Sequence, residues 1–139
     1  ILSGFETGGE RLQTAYDSQD QEDEHSCFSD NTHRDMVQDA QGVHNVYNGT
    51  YTKLDGTKLA GPGIYNVLAE VDQALADQLR TEIAASVAAA EALDTPFDQS
   101  LTNDAGRAKV LALITALRTQ EDSLETAFQT LGLAVPVAE

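Results

Sequence analysis

Most of the side chains that could do chemistry in this chain lie within sixteen residues, from Asp20 to Asp35. The segment holds six carboxylates, two of the three histidines and the only cysteine, and its one basic residue is Arg34. A solvated helix face would mix lysine with glutamate. A buried group of this composition must instead bind a cation, pair with distant arginines or have shifted pKa values. If the segment is exposed, it is simply an acidic patch.

The first candidate site is the run of three acids and a histidine from Glu22 to His25. Oxygen-rich clusters suit hard cations such as calcium, magnesium or ferric iron. The run lacks the Asp-x-Asp-x-Asp-Gly spacing and the final Glu of an EF-hand loop. The alternative is a solvated acidic loop, the usual role of a charge run. The Ser-Cys-Phe-Ser that follows favours a site, because a purely solvated loop would not need it.

The second candidate is the pair Asp30 and His33, at the start of a predicted helix. Residues three apart on a helix can touch, and a carboxylate that holds an imidazole fixes its tautomer, as happens beside metal sites. Alternatively, Asp30 only caps the helix. His44 lies on the same helix face as His33, but eleven residues separate them by about 16 Å, too far to share one metal ion. We interpret His44 as a hydrogen-bonded core or interface histidine.

Three further residues have structural interpretations. Glu10 and Arg11 could form a buried ion pair that reaches the acidic segment, where Arg11 would neutralise part of its charge. Cys27 cannot form an internal disulfide, and its acidic neighbours argue against a Cys-His protease centre. The sequence contains no Gly-x-Ser-x-Gly motif, phosphate-binding loop or zinc-type cysteine pair.

The composition indicates one helical domain that spans residues 1–139. The length suffices for a core, and 41% hydrophobic residues without tryptophan suit a helical bundle better than a sheet. The formal net charge of −15 argues against nucleic acid and anionic membrane surfaces as partners. No apolar run reaches about 18 residues, so we expect no transmembrane segment. The chain contains no signal peptide, which a mature protein would have lost.

Hydrophobic periodicity and terminator residues predict four helices and one hairpin. The helices cover residues 9–18, 29–48, 64–93 and 103–131, and an acidic connection without periodicity covers 19–28. Ser29 or Asp30 caps the second helix, and Asn103 or Asp104 caps the fourth. Asp55-Gly56 predicts a two-residue turn in a β-hairpin over 51–59, and 94–102 is predicted to be a loop. The predicted fold is therefore an all-α, up-and-down four-helix bundle with a small β-hairpin inserted between helices 2 and 3.

Each predicted helix has an apolar seam spaced by three or four residues. The seams are Leu12, Ala15 and Tyr16; His33, Val37, Ala40, His44 and Tyr47; Leu68, Val71, Leu75, Leu79, Ile83, Val87 and Ala90; and Val110, Ile114, Leu117, Leu124, Phe128 and Leu131.

Several segments together resemble the C-terminal half of the imelysin family. They are Gly9-Glu10-Arg11, the run Gln-Glu-Asp-Glu-His-Ser-Cys-Phe-Ser-Asp-Asn-Thr-His over 21–33, Asn-Val-Tyr-Asn-Gly-Thr-Tyr over 45–51 with Gly61-Pro62, and Thr-Pro-Phe-Asp-Gln over 95–99. The similarity runs along nearly the whole chain. Imelysins are bacterial iron-regulated envelope proteins, also catalogued as metallopeptidases, and resemble two joined helical bundles. The resemblance therefore implies a periplasmic or envelope-associated protein.

The resemblance also implies a site for iron, another divalent or trivalent metal, or a metal-bearing ligand. An N-terminal half of the same protein, or a second chain, would complete that site. Its metal ligands here would be Glu24, His25, Asp30 and His33, with Glu10, Arg11, Glu22 and Asn31 as ligand or interface residues.

Two alternatives remain open. The chain could be part of a metallopeptidase, but the family's Gly-x-His-x-x-Glu motif belongs to the other half, and no histidine here precedes a glutamate by three residues. The chain could also be an acidic helical interaction domain without a site.

Overall fold

The computed structural model describes residues 2–135, which form six α-helices and one two-stranded sheet. In chain order, the elements are a π-helix (Leu2–Gln13), α1 (Thr14–Ser18), a 3₁₀ turn (Gln21–Asp23), α2 (Thr32–Asn48), β1 (Thr50–Thr52), β2 (Lys58–Ala60), α3 (Ile64–Val71), α4 (Gln73–Glu91), α5 (Phe97–Thr102) and α6 (Asp104–Thr130). The predicted all-α bundle with a hairpin between its second and third long helices is confirmed.

The first helix begins earlier than its apolar pattern predicted. It starts at Leu2 and is π-helical for twelve residues, far longer than the single π turns that most proteins contain. It runs antiparallel to α6, because Gly4 lies against Glu121 and Gly8 lies against Leu117. A Cβ atom on Gly4 would collide with the Glu121 side chain, which also accepts a 3.2 Å hydrogen bond from the Phe5 amide. Glycine therefore permits this close approach. Because glycines replace apolar side chains at these contacts, the hydrophobic pattern did not predict this part of the helix.

The start of α2 corrects the predicted cap. Asp30 has a left-handed backbone with φ of 51°, so it lies outside the helix and neither it nor Ser29 caps it. The helix begins at Thr32 after Asn31, whose side chain makes no capping hydrogen bond. The predicted end is confirmed, since Gly49 adopts φ of 66° directly after Asn48.

The hairpin is confirmed, but its turn is longer than predicted. β1 and β2 pair antiparallel with Tyr51 opposite Leu59. The Gly56 amide donates to the Lys53 carbonyl at 2.9 Å, so the central turn residues are Leu54 and Asp55 rather than Asp55 and Gly56. Gly56 follows the turn with φ of 83°, as in hairpins that combine a type I turn with a glycine bulge.

The predicted third helix is broken in two. Asp72 has an extended backbone between α3 and α4, and its side chain accepts a 2.9 Å hydrogen bond from the Leu75 amide, which caps α4. The apolar seam passes through this break because both helices keep their apolar sides inward, although Val71 itself is exposed. The predicted loop over 94–102 contains the short helix α5, which begins after Pro96 and buries Phe97 and Leu101.

The fourth helix matches its prediction closely. Asn103 caps α6 by accepting a 2.8 Å hydrogen bond from the Gly106 amide, and the chain turns at Gly132 with φ of 72°. Phe128, which is 36% exposed, is the most exposed seam residue of α6.

Two apolar clusters fill the bundle. The first joins α1, α2, α5 and α6 with the ends of the π-helix and α4, and contains Leu12, Ala15, Met36, Ala40, Ala90, Leu93, Phe97, Leu101, Val110, Leu113, Ile114 and Leu117. The second joins the later part of α2 to α3, α4 and the end of α6, and contains Tyr47, Leu68, Ala76, Leu79, Ile83 and Ala127. Among the described side chains, none from the π-helix or α1 belongs to the second cluster.

Candidate functional site

The acidic connection folds back onto the first turn of α2. The Ser26 amide donates to the Thr32 hydroxyl at 3.1 Å, and the Ser26 hydroxyl donates to the Asp35 carboxylate. Asn31 donates to the other Asp35 oxygen at 2.8 Å. These bonds account for the Ser-Cys-Phe-Ser sequence only in part, because Phe28 is fully exposed. Their consequence is a fixed path for the residues between Glu24 and Asn31.

This path buries Glu24. The residue is 5% exposed, whereas its neighbours Glu22 and Asp23 are exposed. Neither Glu24 oxygen has a hydrogen-bond partner among residues 2–135. Burial raises the pKa of the Glu24 carboxyl above its usual value. The Thr32 hydroxyl is close enough to offset part of this effect, although it does not meet hydrogen-bond geometry with either oxygen.

Asp98, which the sequence did not identify as a site residue, also acts on Glu24. Its negative charge raises the pKa of Glu24 further, as does that of Asp30. Asp98 lies on α5, and its Oδ1 atom is also buried without a partner within the described residues. The charges of Glu24 and Asp98 thus repel each other, and no arginine or lysine of residues 2–135 is among the groups that act on the pKa of Glu24. The available signal was the segment Thr95 to Gln99, which contributed to the family resemblance but was predicted to be a loop.

The two predicted histidine ligands lie apart from this carboxylate pair. His25 is exposed and faces a groove described below. His33 is half-buried, and its Nδ1 atom is buried without a hydrogen-bond partner in residues 2–135. Asp30 is exposed and does not hold the His33 ring, so the predicted carboxylate–imidazole contact is absent. Over the same residues, no three His, Cys, Asp or Glu side chains approach closely enough to hold a metal ion.

The remaining predicted residues surround this region without joining it. Glu10 and Arg11 are both exposed, so the predicted buried ion pair is wrong. Glu22 is exposed, and its amide donates to Asp20 at 3.0 Å to begin the 3₁₀ turn. The Asn31 side chain donates a hydrogen bond to Asp35 and so helps to hold the acidic connection against α2.

His44 and Cys27 have ordinary environments. His44 Nδ1 lies 3.2 Å from the Gln41 side-chain amide, which agrees with the predicted hydrogen-bonded histidine. Cys27 is a half-buried free thiol.

A separate groove of about 640 Å³ opens beside the second apolar cluster. We call it the α2–α6 groove. Its floor is formed by Val43, Val46, Tyr47, Ile64, Leu124 and Phe128. Its charged rim consists of Glu6, Arg11, His25 and Asp39. Partial burial raises the pKa of the Asp39 carboxyl, His25 lowers it and Asp35 raises it again. The sequence pattern gave no sign of this groove, because its floor residues also fit an ordinary helix seam.

Comparison with known protein families decides the affiliation. Residues 4–124 match the family model described as imelysin. The chain belongs to the imelysin family. The matched range includes the acidic connection, α5 and most of α6, so both Glu24 and Asp98 lie within the imelysin region. No match was found among curated proteins. Within the described residues, no helix of this imelysin chain is both long and apolar enough to cross a membrane.

Imelysins are iron-regulated proteins that are also classed with the peptidases, and this classification implies a metal. The donor set of this chain fits a hard cation only in part. Glu24 and Asp98 supply buried carboxylate oxygens of the kind that such cations prefer, and Thr32 adds a hydroxyl. A complete coordination shell would need further ligands beyond this pair.

Proposed function

We propose that this chain is the carboxylate-bearing half of a bacterial envelope protein that binds iron, another metal or a metal-bearing ligand and takes part in iron uptake. The observation that carries the proposal is the buried Glu24 carboxylate, whose oxygens have no hydrogen-bond partner within residues 2–135 and whose charge is repelled by Asp98. Family membership supports iron and an envelope location, whereas the side chains favour a hard cation in general.

The physical argument rests on the cost of burying like charges. A carboxylate without donors loses its hydration and gains nothing in return, and a second carboxylate nearby adds repulsion. A proton relieves this cost at low pH, and a cation relieves it at neutral pH. Glu24 lies in the acidic connection and Asp98 lies on α5. The fold itself therefore maintains the repulsion between the two charges.

The pair is too small to hold a metal alone, and this supports a partner. We propose that an N-terminal half of the same protein, or a second chain, supplies the missing ligands. Asp30, whose charge acts on Glu24, is the residue best placed to join a completed site, with His33, His25, Asn31 and Glu22 further out. In this arrangement α4 and α6 serve as scaffold.

Calorimetric titration of the metal-free chain with Ca²⁺, Zn²⁺ and ferric citrate tests the proposal. For an incomplete carboxylate site we expect a hard cation to bind with a Kd of about 0.1–1 mM. Glu24→Gln should weaken this binding at least about tenfold, because it removes a charged ligand. Glu22→Gln, an exposed acid two residues away, is the matched control and should change it less than about twofold. Equal binding by the two variants, or no heat above buffer, would refute the proposal.

The peptidase alternative receives no support from the residues of this chain. Peptide hydrolysis at a metal needs an open coordination position and a general base, which the His-x-x-Glu type of motif supplies. No histidine of this sequence begins such a motif. Chelator-sensitive cleavage of a casein substrate by the purified 139-residue chain would reverse this ranking.

A further inference from the structure

The α2–α6 groove is lined by several elements that are distant in sequence. Its lining comes from the π-helix, His25, α2, the first residue of α3 and the second half of α6. Its volume of about 640 Å³ lies in the range of pockets that enclose small molecules. Such pockets combine a mostly apolar lining with a few polar groups that orient the ligand. The groove has both parts.

The groove extends across both apolar clusters. Arg11 and Asp39 line it, and each directly precedes a buried residue of the first cluster, Leu12 and Ala40 respectively. The floor residues Val43, Tyr47 and Leu124 belong to the second cluster or pack against it. Charged groups therefore meet the groove beside the first cluster, and apolar surface meets it beside the second.

The charged groups of the lining are of both signs. Glu6 and Asp39 are acidic, whereas Arg11 and His25 are basic. Neither Arg11 nor Asp39 forms a side-chain hydrogen bond or an ion pair with another residue in the range 2–135. The guanidinium can donate up to five hydrogen bonds, and the carboxylate only accepts them. Both groups are therefore available to a ligand.

This mixture of charges selects the head group of the ligand. A purely anionic head would pair with Arg11 and be repelled by Asp39, and a purely cationic head would meet the opposite problem. A head that carries one charge of each sign can pair with both side chains. The mixed lining thus favours a zwitterion over an ion of either sign.

The apolar part of the lining is open to a ligand. Val46 is 64% exposed and Phe128 is 36% exposed, so both present apolar surface that a ligand could remove from water. Gly42 lies between Asp39 and Val46 along α2, and no atom lies within 4 Å of where its Cβ would be. The α2 wall therefore leaves space between the charged and the apolar surface.

We propose that the α2–α6 groove binds a small zwitterionic amphiphile. Its anionic group pairs with Arg11, its cationic group pairs with Asp39, and its apolar body covers Val46 and Phe128. This inference does not rest on the metal proposal, because neither Glu24 nor Asp98 lines the groove.

Calorimetric titration of the 139-residue chain with decylphosphocholine, in the presence of a chelator, tests the proposal. Decyl sulfate and decyltrimethylammonium have the same tail with a single charge, and phosphocholine has the same head without the tail. All four are kept below the concentrations at which micelles form. We expect a Kd of the order of 100 µM for decylphosphocholine and at least about tenfold weaker binding of the other three.

Two exposed valines provide matched variants for the apolar part. Val46→Asp alters the groove floor, whereas Val71→Asp alters the end of α3 outside it, and the two side chains are 64% and 61% exposed. The first change should weaken binding of decylphosphocholine at least about tenfold and the second less than about twofold. Circular dichroism should show that both variants keep the helical content.

Two further variants test the charge assignment. Arg11→Gln should weaken binding of decylphosphocholine and decyl sulfate but not of decyltrimethylammonium, and Asp39→Asn should spare decyl sulfate instead. A merely structural role of either residue would change all three affinities alike. Glu24→Gln should change the affinity for decylphosphocholine less than about twofold, which separates this site from the metal proposal.

Three results would overturn the proposal. The first is no binding of decylphosphocholine, and the second is equal affinity for the three decyl compounds, which would indicate adsorption by the tail alone. The third is equal sensitivity of binding to Val46→Asp and Val71→Asp, which would place the amphiphile outside the groove.

Discussion

Replacing Glu24 with glutamine should stabilise the metal-free chain at neutral pH. The wild-type carboxylate is 5% exposed and has no partner among the described residues, and Asp98 and Asp30 repel its charge. A buried unsatisfied polar group costs about 1–3 kcal/mol, and more when it is charged. Glutamine keeps the size and polarity of the side chain, removes the charge and replaces one acceptor oxygen by an NH₂ donor. We therefore expect a gain of about 1 kcal/mol, or about 3 °C in Tm for a domain of this size.

The gain should depend on pH in a defined direction. The pKa of Glu24 in the folded chain lies above its usual value of 4.5, so the folded state binds this proton more tightly than the unfolded state does. Wild-type stability therefore falls as the pH rises from 4.5 through the raised pKa. Below pH 4.5 both states are protonated at this site, and the advantage of Glu24→Gln should disappear.

Urea unfolding followed by circular dichroism, with a chelator present, measures both effects at neutral pH and at about pH 4. Glu22→Gln serves as the control because Glu22 is exposed, and it should change stability by less than about 0.5 kcal/mol. A loss of stability in Glu24→Gln at neutral pH would refute the reasoning, since it would mean that the carboxylate has a favourable partner. An equal gain at both pH values would refute the electrostatic explanation.

Three further changes test the scaffold by thermal or urea unfolding. Tyr47→Phe removes the buried 2.8 Å hydrogen bond to the Ala76 carbonyl and should cost about 1 kcal/mol. Burial raises the pKa of Tyr47 to about 12, so wild-type stability should also fall between pH 10 and 12 in a way that the phenylalanine variant does not. Asp72→Ala removes the cap that receives the Leu75 amide and should cost about 1 kcal/mol. Gly49→Ala places a Cβ against backbone at φ of 66°, and should cost more than about 1 kcal/mol.

Local signals predicted most of the fold. Gly49, Asn103 and Gly132 mark helix ends through backbone conformation and capping, which depend on a few neighbouring residues. The break at Asp72 was not predicted, because the spacing of apolar residues continues from α3 into α4. Periodicity therefore could not distinguish one long helix from two helices in line. The π-helix was not predicted, because it depends on glycines that pack against α6, and this contact joins residues distant in sequence.

The candidate site was predicted only in part for a similar reason. Composition indicated that the acidic connection was unusual, and Glu24 is indeed buried. A run of acids does not indicate which acid is buried and which are solvated. In this segment burial depends on the hydrogen bond between Ser26 and Asp35, which folds the chain back. The partner carboxylate Asp98 was missed because α5 was taken for a loop.

The two segments that carried the family resemblance, 21–33 and 95–99, each contribute one carboxylate with a buried oxygen that has no partner within the described residues, and the charge of Asp98 acts on Glu24. An acidic interaction domain without a site would keep Glu24 on the surface, as it keeps Glu22 and Asp23, since solvation is the cheaper state for a charge. A purely structural buried acid would have an arginine or backbone donors, and Glu24 has neither within the described residues. The fold thus maintains an unfavourable charge that a cation would relieve, and this is the physical ground for preferring metal binding over the interaction-domain alternative.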